Sequence, residues 1–79
     1  MYDRIAIGAA LRLLRERAGL SQRELAGAAR ITPAYVSRME NGRVDIGLSV
    51  LLRVLDALGS GFGGLADAVE TVWKASDGR

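Results

Sequence analysis

The sequence predicts an all-α fold of five helices, and three observations carry that prediction. Apolar residues recur at spacings of three and four, period-two alternation is nowhere sustained, and helix start and stop signals punctuate the chain at short intervals. The 79 residues suit one domain, residues 1–79, with a core over 7–59 and a further helix at about 62–75. With 49% apolar and 25% charged side chains, the chain is too hydrophobic for disorder and too evenly charged for a membrane protein.

Each element has its own signals. Ile7, Leu11, Leu14 and Ala18 form one stripe of a first helix that Gly19 closes in a left-handed conformation. Ser21-Gln22-Arg23-Glu24 is a capping box that starts a second helix, with Leu25, Ala26 and Ala29 directed inward. Thr32-Pro33 starts a third, a hydroxyl N-cap followed by the one helical position where proline is favoured, and Val36 and Met39 point inward before Gly42 ends it. Leu48 to Leu58 is mostly apolar, with Arg53 and Asp56 on the outer face and Gly59 as the stop. Gly59 to Gly64 holds four glycines and reads as a flexible joint before a last helix carrying Leu65, Ala68, Val69, Val72 and Trp73.

Composition removes several function classes. Cys and His are both absent, which excludes disulfides, thiolate metal sites, the commonest general base and the commonest metal ligand, so no enzyme, cofactor or metal is expected. No run approaches eighteen consecutive apolar residues and the N-terminus has no signal-peptide character, so the expected location is cytoplasmic, without membrane. Gly59-Ser60-Gly61-Phe62-Gly63-Gly64 satisfies a dinucleotide-binding pattern literally, but it follows a helix where that chemistry requires a strand. Asp67 and Glu70, three apart on a polar helix face, read as solvated.

The net charge of +2 hides an asymmetry. Residues 1–43 hold eight arginines against four acidic residues, and residues 44–79 hold three basic against five acidic. The basic half has no Lys; planar bidentate donors suit phosphates and guanine edges, although GC-rich coding gives the same bias. An acidic partner for the first half follows from the charge itself.

Two capped helices joined by only about three residues must meet at a sharp angle, the helix-turn-helix pattern in which the second helix enters the major groove of double-stranded DNA. Residues 11–59 carry Gly-Leu-Ser-Gln-x-Glu-Leu-Ala and, downstream, Ser-Arg-Met-Glu-Asn-Gly. At that mutual spacing they closely resemble the Cro/C1-type (xenobiotic response element) helix-turn-helix family, which implies a lambda-repressor-like fold. The resemblance implies base reading by Thr32, Ala34, Ser37 and Arg38, with Arg38 meeting guanine O6 and N7 and Ala34 a thymine methyl. It implies phosphate contacts from Ser21, Gln22 and Arg23 at the second helix and from Tyr35, Asn41 and Arg43 around the third. It also implies a structural ion pair between Arg15 and Glu40. Two departures matter: Arg30 stands where the family's turn has Gly, and Pro33-Ala34 replaces longer polar readers, shifting specificity toward DNA deformability.

Phe62, Leu65, Val69, Val72 and Trp73 extend an apolar stripe beyond what a monomer needs to cover. With so small a core, they suggest a homodimer interface, two recognition helices about 34 Å apart and a palindromic operator. The expected function is a sequence-specific transcription regulator, a repressor or autoregulator. An antitoxin, with a toxin protein on the last helix and residues 75–79, remains open, as do a restriction-modification controller and a protein-interaction module without DNA.

Overall fold

Three of the five helices of the computed structural model, which describes residues 1–76, begin at a side-chain cap. The elements are α1 (Arg4–Arg17), α2 (Gln22–Ala29), α3 (Pro33–Glu40), α4 (Leu48–Ala57) and α5 (Phe62–Ala75), with no strand among the described residues. At the start of α2 the Ser21 hydroxyl accepts from the Glu24 N–H at 3.0 Å and the Glu24 carboxylate accepts from the Ser21 N–H at 2.9 Å, which completes the capping box. Donation by the Ser21 N–H above all, with the Ser21 side chain, holds the Glu24 carboxyl below its ordinary range. That capping contribution is present above the ordinary carboxylate range and is lost as pH falls through the lowered value. Thr32 Oγ1 accepts from the Tyr35 N–H at 3.0 Å and Pro33 opens α3. Asp3 caps α1 by accepting from the Ala6 N–H at 2.8 Å, a start signal legible in the sequence but not singled out there.

Helices α1 to α4 all terminate by one device. An N–H just past the helix end bonds back five residues: Leu20 to Arg15, Ile31 to Ala26, Arg43 to Arg38 and Ser60 to Leu55, at 2.9–3.1 Å. The residue before each of these donors must be left-handed. Three times it is glycine (Gly19, Gly42, Gly59), and once it is Arg30, at φ 60° and ψ 45°. The turn therefore keeps its usual geometry and Arg30 carries the strain of a Cβ in it. Arg30→Gly is expected to stabilise the free domain by about 0.5–1 kcal/mol, read from urea unfolding.

The core centres on Leu11, Leu25, Val36, Met39, Val54 and Val69, all fully buried. Helix α1 packs on both α3 and α5, and α2 on α3 and α4. Because α1 has two partners, its buried face is broader than the expected stripe: Gly8, Ala10 and Leu11 are buried, Ile7 and Leu14 are half-buried, and Ala18, at the C-cap, is exposed. At Gly8 the backbones of α1 and α3 touch, with the Met39 and Glu40 carbonyls filling the space a Cβ would occupy. This contact sets how α3 lies on the scaffold.

The glycine-rich joint is shorter than expected. Gly63 and Gly64 belong to α5, so only Leu58, Gly59, Ser60 and Gly61 connect it to α4, and the two helices meet at 88°. Gly64 is helical beside Ser60, whose Oγ occupies the position of a Cβ there. Arg53, expected on the outer face of α4, extends an Nε–H to the Ala29 carbonyl at 3.0 Å and so ties α4 to the end of α2. Among the described residues no single helix is long and apolar enough to cross a membrane.

Candidate nucleic-acid interface

The turn from Arg30 to Thr32 presents α3 with Thr32, Ala34 and Arg38 exposed and Ser37 half-buried, while Val36 and Met39 anchor the opposite side in the core. The Arg38 guanidinium lies 5.7 Å from the centroid of the Tyr35 ring. Tyr35 packs half-buried against the core, so its ring is a fixed platform under a long, otherwise free side chain.

At the start of α2, Ser21 and Arg23 are exposed and Gln22 is half-buried. Beyond α3, Asn41 and Arg43 are exposed, and the Asn41 Nδ2 donates to the Ser37 carbonyl at 2.8 Å, closing the helix end. Arg23, Arg30, Arg38 and Arg43 form no ion pair among the described residues, and all four are exposed. Their charge is uncompensated locally and available to a polyanion.

Beneath this surface lies a buried charge network. Arg15 Nε and Nη2 reach the two Glu40 carboxylate oxygens at 2.6 and 3.0 Å, and Arg15 Nη1 donates to the Leu20 carbonyl at 2.8 Å. The side chains are 11% and 3% exposed. The hydrogen bond to Glu40 raises the Arg15 pKa against the opposing effect of burial, so the guanidinium stays charged. The pair joins α1 to α3, and Gln22 Nε2 adds α2 by donating to Glu40 Oε1 at 3.1 Å. No sequence signal pointed to that third arm, nor to Arg53, because both depend on residues 18 and 24 positions away.

The residues expected at a dimer interface divide. Leu65 and Val69, expected at that interface, are instead 8% and 0% exposed within one chain, packed with α1 and the core, and leave almost no surface for a partner. Phe62 is 56% exposed, and Val72 and Trp73 are half-buried beside Ile5, Ala6 and Ala9. Exposed apolar surface also lies where it was not expected, at Met1, Tyr2, Ile5, Leu48 and Leu52. Of the tail 75–79, residues 77–79 lie outside the described residues. Among the described residues no three of His, Cys, Asp or Glu converge as a metal site would require.

Comparison with known proteins agrees with this geometry. A family described as the helix-turn-helix domain matches residues 6–68. Two crystal structures of the clp gene regulator ClgR from Corynebacterium glutamicum are 38% and 35% identical, with TM-scores of 0.81 and 0.85. The first alignment covers 86% of this chain and 87% of that one, the second 94% and 79%. The restriction-modification controller protein C.AhdI from Aeromonas hydrophila is 33% identical at a TM-score of 0.74, over 77% of this chain and 92% of that one. No curated protein matches the chain. With its capped helices, its left-handed turn and a match over residues 6–68, the chain belongs to the helix-turn-helix domain family, in its Cro/C1-type branch.

Proposed function

We propose that the chain is a sequence-specific DNA-binding transcription regulator that acts as a homodimeric repressor or autoregulator on a palindromic operator. The observation that carries this reading is the exposed face of α3, with Thr32, Ala34, Ser37 and Arg38 turned outward on a helix whose other face is locked into the core. Arg38 reads a guanine edge, and Ser21, Gln22, Arg23, Tyr35, Asn41 and Arg43 face the phosphates on either side. Arg30, unpaired and exposed in the turn, adds to the phosphate contacts, so Arg30→Gly should weaken DNA binding while it stabilises the fold.

Short readers and many arginines make affinity chiefly electrostatic, so binding falls steeply with salt. Arg38→Ala is expected to cost about 1–3 kcal/mol at one base position of a selected operator, measured as a change in its base-preference matrix. An unchanged matrix would remove Arg38 from the reading role.

For the dimer, the exposed apolar residues Leu48 and Leu52, one turn apart on α4, and Phe62 at the start of α5 take the place of Leu65 and Val69. Leu52→Asp is expected to shift sedimentation at tens of micromolar from dimer to monomer and to lower operator affinity without lowering helicity. Wild-type protein that sediments as a monomer and binds one copy per operator would refute the dimer.

A further inference from the structure

We infer that Glu40 is a positioning residue for the phosphate contact at Gln22, and that the Arg15 ion pair makes this possible by cancelling the Glu40 charge. The inference rests on the DNA-binding reading above and specifies how one contact of that site is prepared before DNA arrives.

The geometry leaves one orientation for the Gln22 amide. A carboxylate only accepts hydrogen bonds, so the amide side facing Glu40 Oε1 at 3.1 Å is the NH2 group. One of its two hydrogens is spent on Glu40, and the other points away, at the first residue of α2. A glutamine side chain free in solvent would have to be ordered on binding; this one is ordered in advance. A bare carboxylate next to a phosphate would repel it. Here both Glu40 oxygens are taken by Arg15 at 2.6 and 3.0 Å, and Arg15 is held in turn by the Leu20 carbonyl. Among the described residues no buried polar side-chain atom of this network lacks a partner. Since Glu40 is the last residue of α3 and Gln22 the first of α2, the same carboxylate also sets the spacing between the base-reading helix and its phosphate contact.

The test is a double-mutant cycle on duplex binding. In the wild-type protein Gln22→Ala is expected to weaken specific and non-specific duplexes alike, by about tenfold. In an uncharged background, Arg15→Met with Glu40→Leu, the same change is expected to cost less than about twofold, because Gln22 is no longer held. Equal losses in the two backgrounds overturn the inference. A readout that needs no variant and no DNA is 15N relaxation of the Gln22 side-chain amide in the free wild-type protein: a rigid NH2 group supports the inference and a freely rotating one overturns it. Failure of the DNA-binding reading is seen separately, as no salt-dependent duplex binding by the wild type. If Gln22→Ala alone is silent while Arg38→Ala changes the base preference, DNA binding stands and this inference falls.

Discussion

Gly8→Ala is expected to destabilise the domain by about 3 kcal/mol, the upper range for forcing an added methyl into a packed interior. In most helices the change would stabilise, since alanine is favoured over glycine by about 1 kcal/mol. At Gly8 that gain is overridden. The new Cβ would overlap the Met39 carbonyl oxygen and lie 2.9 Å from the Glu40 carbonyl oxygen, and backbone on both sides cannot swing aside as a flexible side chain can. Relief requires α1 and α3 to separate, opening the core around Leu11 and Met39 and loosening the Arg15–Glu40 pair. The control is Gly27→Ala in α2, where a Cβ meets nothing within 4 Å. It is expected to stabilise by about 0.5–1 kcal/mol. Urea unfolding of the two variants should therefore move the midpoint in opposite directions, and a stabilised Gly8→Ala would refute the close approach of α1 and α3.

Arg15→Ala is expected to cost about 3–5 kcal/mol, because it leaves the Glu40 carboxylate, 3% exposed, without its cation. For a domain of this size that corresponds to a fall of about 15 °C or more in the melting temperature. The loss comes from the stranded partner more than from the pair's net worth. Replacing both residues, Arg15→Met with Glu40→Leu, is accordingly expected to restore stability to within about 1 kcal/mol of wild type. Calorimetry of the single and double variants separates the two, and a single variant that melts within a few degrees of wild type would show the pair to be solvated.

Local signals located the elements closely. The capping box at Ser21 and Glu24, the Thr32-Pro33 start and the glycine stops depend on interactions within a few residues, and such interactions survive in the fold unchanged. The expected ion pair of Arg15 with Glu40 came from the family resemblance, since a separation of 25 residues leaves no local trace. The last helix shows where local reading failed. Its apolar stripe was visible, but a stripe does not say what covers it, and α1 covers Leu65 and Val69. The glycine cluster misled for a related reason: glycine is permissive rather than disruptive, and Gly63 and Gly64 are accommodated in a helix that buries Leu65, Ala68 and Val69.

The residues alone settled the class of fold, the starts of α2 and α3, the glycine stops, the basic first half and the inward Val36 and Met39 of α3, because each is a matter of periodicity, capping chemistry or charge along one short segment. Only the tertiary structure decided that Gly8 must be glycine, that Gln22 is held by Glu40, that Arg53 closes the end of α2 and that Tyr2, Ile5, Leu48, Leu52 and Phe62 leave apolar surface exposed. These depend on how closely one helix approaches another, and that distance follows from the packing of all five together.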